Sequence, residues 1–472
     1  MGTADISYRG IEGGGAVITQ LVLKGFKSWA RIENMRLAQI TGLFGANSSG
    51  KTSVLQFLLM LKQTVESRDR SQVLNLGGEE RDLVNLGSFS HLIHGCINEG
   101  NLGLELAWKL PDTLSFEVNQ QQAKRALSGD EMSFFAEVSQ TLIYPHRVKQ
   151  MGYRFAGRKF SSALVNPDGP EYSLSTDVDG FKFMRRGGGP RLISVESKCY
   201  LFPDEARECY ENAGFLSAFE LQFERLFSRV YYLGPLRASP RRVYDWSRTV
   251  RGDVGLSGEN AVFALLATEQ REPSLRLQEL TAHWLKKLGM VHSFRVAPYA
   301  EGSQVYKVLI RTTPGAPEVL LPDVGFGVSQ ILPVLVLCYS VPRGSIIILE
   351  QPEIHLHPAV QAALADVFID AAKRRNIQII FESHSEHLLR RFLRRIAEGP
   401  DSAEGFDPQN TAMYFCKMAG GESNLSPLQI NDFGRVSNWP DDFFGDEFGE
   451  IAAMEKAALK REISRGQPQD GA

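Results

Sequence analysis

An α/β fold is what this sequence predicts: a lobe built on a parallel sheet, split in two by an inserted mixed α+β and helical subdomain, with no long coiled coil. Three observations carry the prediction. AQITGLFG reads as a short buried strand running into glycine, and VLQFLLMLKQTV after it has helical spacing. The same strand–turn–helix grammar returns at residue 323, with a glycine-rich turn, a helix, the aliphatic strand SIIILE, a helix from about 358 to 375 and the strand NIQIIFES. Between these two stretches the character changes to short alternating segments separated by turn residues. Heptads sustained over many turns are not found, which argues against a long arm.

Taken in order, residues 1–15 are polar and glycine-rich and are expected to be loose, and AVITQLVLKGFKSW alternates as a strand does. NLGLELAWKL, YRFAGRKFSSALV, EYSLSTDV and RLISVESK read as short strands, 204–232 and 258–290 as helical, and SFRVAPYA and QVYKVLIRTT as strands again. ILPVLVLCYSVP is too short to span a bilayer and reads as a buried helix. After residue 400, TAMYFCKMA and SNLSPLQI read as strands, NWPDDFFGDEFGE is acidic and aromatic, and the tail from about 462 is expected to be disordered. This divides the chain into 1–100 (lobe, first half), 101–320 (inserted strand-rich then helical subdomain), 321–400 (lobe, second half) and 401–472 (C-terminal extension).

Composition narrows the class of protein. The chain has 472 residues, 43% hydrophobic and 23% charged, with ample length for a large core. A net charge of -3 gives no global field toward nucleic acid. The five cysteines are scattered and lack metal-ligand spacing, which points to a reducing compartment without structural disulfides. Signal-peptide order and an apolar run of roughly 18 residues are both missing, so a cytoplasmic protein without a membrane partner is expected.

GANSSGKT, Gly45 to Thr52, matches G-x-x-x-x-G-K-[ST] at every fixed position. Gly45 and Gly50 let the backbone turn and bring its N–H groups to phosphate oxygens, and the following helix presents its positive end to the same anion. Lys51 supplies a point charge between β- and γ-phosphates, and Thr52 offers a hydroxyl to Mg²⁺. Asn47, Ser48, Ser49 and Ser53 complete the candidate cradle, so ATP and Mg²⁺ are the expected cofactors.

Such a loop needs a carboxylate-bearing strand beside it. SIIILE supplies one ending in Glu350, with Glu353 a turn later in ILEQPEIHLHP. Glu350 is placed to hold Mg²⁺ through its water shell and Glu353 to polarise the attacking water, tasks for a hard oxygen ligand and a proton acceptor. A rival reading makes a zinc site of His355 and His357 with His384 and His387, but no cysteine lies nearby. Two basic stretches, RASPRRVYDWSRTVR (237–251) and LLRRFLRRI (388–396), leave nucleic-acid contact open beside interface and solvated-face readings.

The order GxNSSGKT, DVGFGVSQ (323–330), hhhhE-QPE and a strand ending in His384 resembles the ABC-type ATPase heads of the SMC, RecF and OLD group. It is most similar to the compact AAA15/AAA21 class of prokaryotic antiphage systems such as Septu and PARIS, and LKGFKSW, EQPEIHLHP and FGRVSNWPDDFF add to the match. The middle contributes YLGPLR (232–237) and GLSGEN (255–260).

The resemblance implies that Gly325, Gly327 and Ser329 form a signature turn meeting the γ-phosphate held by a second subunit. Gly325 stands where serine is usual, with Ser329 as its substitute. It implies that His384 is the switch histidine, that His355 and His357 lie in the loop crossing the dimer interface, and that Lys27 approaches the nucleotide. NLGSFSHLIHG (85–95) lies where the Q-loop belongs but has no clear glutamine. The implied function is ATP hydrolysis at composite sites in a head-to-head homodimer or higher even oligomer. The implied output is control of an effector in trans, a nuclease or toxin, in an antiphage module. A slow-turnover ATP-binding scaffold and a DNA-maintenance ATPase are the alternatives.

Overall fold

The computed structural model describes residues 7–9, 15–79, 81–95, 100–119, 124–140, 146–166, 169, 171–186, 197–246, 253–440 and 453–457. Two stretches singled out in the sequence, most of RLISVESK and residues 441–450 of NWPDDFFGDEFGE, lie outside them, as do the ends of the chain.

The lobe is a six-stranded sheet in the order Val230–Leu233, Ile346–Glu350, Gln378–Glu382, Ile40–Gly45, Thr411–Ala419, Glu422–Pro427. Every pairing is parallel except the last. Ile346–Glu350 and Gln378–Glu382 are buried at every position, because helices or a second sheet cover both faces. Alternation assigns the residues to two cores: Ile346 and Ile348 face one cluster, Ile347 and Leu349 the other.

On the first face, helix Lys51–Glu66 lies between the parallel sheet and an eight-stranded antiparallel sheet, and from Val54 to Thr64 all but Gln56 are buried. That sheet contains Val17–Phe26, Trp29–Arg36 and the long hairpin Gly100–Asn119 with Lys124–Gln140, and it continues through Arg147–Phe155 and Arg158–Leu164 to Tyr172–Thr176. Helix Leu216–Ser228 packs on it through Phe219, Phe223, Leu226 and Phe227, one face at helical spacing. On the second face lie helices Ala261–Arg271, Leu277–Lys287, Phe326–Ser340, Pro358–Arg375 and Glu386–Ala397, with a small antiparallel sheet around Val305–Arg311.

Two boundaries differ from the sequence reading. Val230–Leu233, inside the expected insertion, is the edge strand of the parallel sheet beside Ile346–Glu350. Thr411–Ala419, assigned to an extension, pairs directly with the phosphate-loop strand. Both belong to the lobe because a long apolar sheet needs cover at its margins, and short strands from distant segments provide it. The 204–232 segment, read as helical throughout, closes with that edge strand. Among the described residues no helix is long and apolar enough to cross a membrane.

Candidate functional site

The four parallel pairings align the C-terminal ends of five strands, so their terminal residues meet at one edge. Glu350 and Glu382 are register partners there, and Gly45 opens the loop two residues beyond the Glu382 partner Leu43. The loop turns at Gly45 (φ 139°), Ser48 (φ 59°) and Gly50 (φ 91°) and leads into helix Lys51–Glu66. Both glycines are required sterically. A Cβ at Gly45 would stand 2.1 Å from the Cys416 carbonyl oxygen, and one at Gly50 would stand 2.4 Å from Ser423 Oγ. The C-terminal strands therefore brace the loop, as does Trp29 Nε1, which donates to the Gly50 carbonyl at 3.0 Å.

Lys51 is buried and folds back over its own loop, donating to the carbonyls of Gly45 (3.1 Å) and Ala46 (2.7 Å). Burial lowers its pKa, opposed by the charges of Glu382 and Glu353 among others. Thr52 Oγ1 donates to Glu382 Oε2 at 2.7 Å. Glu382 was not singled out in the sequence, although NIQIIFE repeats the pattern of SIIILE, an aliphatic strand closed by a carboxylate.

Glu350 accepts from the Tyr232 hydroxyl at 2.9 Å. Burial, then the neighbouring Glu382, pushes its pKa up to about 7. Glu353 Oε1 accepts from Ser383 Oγ and from the His384 amide, both at 2.7 Å, whereas its Oε2 is buried without a partner. Burial raises the pKa of Glu353 and of Glu382 as well. The three carboxylates resist ionisation together because they are buried at one edge of the sheet. Thr52, Glu350 and Glu382 offer the hard oxygen donors that Mg²⁺ takes, so the residues fit a magnesium nucleotide.

His384 hydrogen-bonds the Gly45 backbone; burial, then Lys51, lowers its pKa. The imidazole thus sits against the phosphate loop. Lys27 (φ 51°) donates to Gln56 on the loop helix and lies in the field of Glu350, which places it at the same edge. NLGSFSHLIHG packs there too: the Lys27 amide donates to the Leu92 carbonyl at 2.7 Å, and His94 Nδ1 lies 2.8 Å from the Lys27 carbonyl oxygen.

The signature turn is a separate surface feature. Gly325 caps helix Phe326–Ser340 with exposed backbone, and Phe326 is 57% exposed. The Phe326 ring meets the His355 ring at 5.3 Å, so the turn and the loop after Glu353 form one surface. Ser329, expected to replace the usual serine, is buried with its hydroxyl donating to the Phe326 carbonyl at 2.6 Å.

The zinc reading does not survive. His355 meets Phe326 edge to face, His357 Nδ1 caps helix Pro358–Arg375 by accepting from the Ala359 amide, and His387 is exposed. Among the described residues no group of three or more His, Cys, Asp or Glu side chains is placed to hold a metal ion by itself.

The basic helix is a structural ion-pair lattice. Arg390 pairs with Glu386, Arg391 with Asp366, Arg394 with Glu398, and buried Arg395 with Asp366, Glu398 and Glu404. In the other basic stretch Tyr244 and Trp246 are buried in the core and present no stacking surface.

The profile of the family described as "AAA domain, putative AbiEii toxin, Type IV TA system" matches residues 40–107 and 202–390, more than half of the chain. The chain belongs to this AAA-domain family. Its matched segments include the phosphate loop, both strand-end glutamates and His384, and they skip the aromatic sheet. A second family, described as a protein of unknown function, matches residues 406–454. No curated protein matches the chain.

Three solved structures illustrate the fold similarity of the AAA domain. The SMC head domain from Thermotoga maritima is 13% identical, with 88% of this chain and 100% of that one covered and a TM-score of 0.39. An SMC head bound to the C-winged helix domain of ScpA is 14% identical, with 88% and 98% covered and a TM-score of 0.42. A Pyrococcus furiosus Smc head with an extended coiled coil, bound to the C-terminal domain of ScpA, is 12% identical, with 94% and 100% covered and a TM-score of 0.42. These scores describe a loose likeness, and the fold assignment rests on the strand order itself.

Proposed function

We propose that this AAA-domain protein binds and hydrolyses ATP with Mg²⁺, and that ATP draws two copies into a dimer controlling an effector protein in trans. One observation carries the ATP reading: at the start of the loop helix Thr52 bonds Glu382 and Lys51 lies in the field of Glu382 and Glu353, with Glu350 the register partner of Glu382 on the adjacent parallel strand. Lys51 exchanges its loop carbonyls for the triphosphate. Mg²⁺, taken by Thr52, Glu350 and Glu382, supplies charge neutralisation for the phosphates. Glu353, held by Ser383 and the His384 amide, directs its free oxygen at the attacking water. His384 and Lys27 flank the phosphates.

The dimer reading is supported by the exposed surface formed by Gly325, Phe326 and His355, with an uncapped helix N-terminus suited to an anion held by another subunit. The effector reading is our inference from the resemblance to ATPases of antiphage systems, with a toxin or nuclease in trans as the partner; the family description, a putative toxin of a Type IV toxin–antitoxin system, supports the setting and names no partner. Glu353→Gln keeps the hydrogen bonds but removes the base. Its mass by light scattering is expected to double with ATP and to stay doubled, because hydrolysis no longer ends the association. A Glu353→Gln chain that remains monomeric with ATP counts against the dimer.

A further inference from the structure

Arg237 ends the segment YLGPLR and begins the basic stretch RASPRRVYDWSRTVR, and no role at the ATP site has been assigned to it. All three of its guanidinium nitrogens are buried, and none has a hydrogen-bond partner. That is a costly state for a group with five N–H donors and a permanent charge. Its nearest opposing groups are Tyr232, Glu353 and Glu350, whose charges partly offset a burial that takes its pKa down to about 10. Yet none of them bonds it. The Tyr232 hydroxyl is spent on Glu350, and Glu353 Oε1 is taken by Ser383 and the His384 amide.

The position of Arg237 is built rather than accidental. The loop leaves edge strand Val230–Leu233 beside Glu350 and is fastened on both sides. The Gly234 amide donates to the Leu256 carbonyl and the Ala238 amide to the Ser257 carbonyl, each at 2.8 Å. These bonds join YLGPLR to GLSGEN. Farther along, Arg242 forms a two-pronged pair with Asp323 at 2.7 and 3.1 Å, just before the signature turn. Arg237 is therefore presented to the carboxylate edge by a loop with little freedom to carry it elsewhere.

Arg237 and Glu353 Oε2 are both buried and both partnerless, and the guanidinium lies in the field of the Glu353 carboxylate. A ligand that satisfies both must bring acceptors to the guanidinium and a proton donor to the carboxylate. A terminal phosphate with its attacking water does both. We propose that Arg237 is an anion receptor acting in cis, taking a γ-phosphate oxygen of the ATP held by its own Lys51 loop. This rests on the ATP reading above. In the reaction, the water oxygen bonds to the γ-phosphorus and the bond from that phosphorus to the β–γ bridging oxygen breaks. The water proton passes to Glu353, and ADP leaves with the bridging electrons. Arg237 holds charge on the transferring group throughout.

The test compares full-length wild type, Arg237→Ala and Arg237→Lys for affinity toward ADP and a non-hydrolysable ATP analogue, and for kcat. The proposal expects R237A to bind ADP within about twofold of wild type while losing preference for the triphosphate, with kcat falling roughly 10²–10³-fold. R237K recovers only part of this, since lysine brings a charge but not the planar fork. Equal weakening of ADP and analogue, or unchanged kcat in R237A, overturns it and leaves Arg237 a structural cation. If the alanine chain does not fold, R237K carries the same comparison. Analogue affinity lost with ADP affinity kept supports the proposal, and equal loss overturns it. A wild type that binds neither nucleotide sinks the ATP reading itself, a result separable from any effect of the variants.

Discussion

In the antiparallel sheet Phe116 stacks on Phe155 and Phe215 at 5.4 and 5.2 Å, and Phe219 meets the rings of Phe116, Tyr153, Phe155, Phe160 and Phe215. Some polar groups buried beside them are engaged, since the Tyr153 hydroxyl donates to the Tyr200 carbonyl and Glu220 takes the Phe202 amide and Arg207, and unpartnered ones such as Trp108 Nε1 and Ser162 Oγ are neutral. At the C-terminal edge of the parallel sheet the unpartnered groups belong to ionisable side chains. Three carboxylates are pushed toward protonation, and Arg237 and Glu353 Oε2 go without partners. Of the seven described non-glycine residues with left-handed φ, four (Lys27, Ser48, Gln351, His355) lie at this edge or on the loop after it. Each costs on the order of 1–3 kcal/mol unless its surroundings enforce it. One region gathers stability and the other spends it, as expected where groups are held ready for a ligand rather than for each other.

That contrast can be broken from either side. Phe219→Ala removes the ring at the centre of the aromatic cluster and should cost about 3–5 kcal/mol in urea unfolding, with ATP affinity of the folded fraction unchanged. A parallel loss of affinity would show that the two regions are energetically one. Lys51→Ala should do the reverse. ATP hydrolysis falls roughly 10²–10³-fold, while the unfolding midpoint stays level or rises, because burial already disfavours the Lys51 charge.

Glu220 sharpens the comparison, since it is a raised carboxylate on the stable side. Burial puts its pKa at about 7, above its ordinary 4.5. The folded state therefore binds the proton more tightly, and the stability contributed is fully present below pH 4.5 and lost as pH rises through 7. Glu220→Gln should lack that component, so wild type loses up to about 3 kcal/mol relative to the variant between those limits, measured as the difference between two pH–stability curves. The smallest effect is expected at Arg242→Ala. Its pair with Asp323 is largely exposed, and its loss should cost less than about 1 kcal/mol in the same unfolding assay.

Much of the site was legible before any coordinates. Lys51 and Thr52 followed from a loop motif whose residue types each have a phosphate-binding reason, and Glu350 from a strand closing on a carboxylate. Glu382 carries the same signal, and it is the pairing of its strand with Ile346–Glu350 that sets it beside Glu350. Ser329 was expected to contact nucleotide, and its hydroxyl instead closes on the first helical turn. Arginines 390, 391, 394 and 395 read as a solvated helix face more than a basic surface; Arg390 and Arg394 are exposed, whereas Arg391 and Arg395 turn inward to Asp366, with Glu404 also reaching Arg395.

The sequence by itself determined the loop chemistry, the alternation that divides the parallel strands between two cores, and the helices flanking them, because periodicity and local turn chemistry are short-range properties. Which distant segments complete the sheet was decided only in three dimensions. Nothing within Val230–Leu233 or Thr411–Ala419 names a partner strand, and their pairing follows from which apolar edges remain to be covered. The same assembly brings Arg237 beside Glu350 and Glu353 across more than a hundred residues of chain. Charge and burial act through space, so the meaning of such a residue is fixed by its neighbours in the fold rather than by its neighbours along the chain.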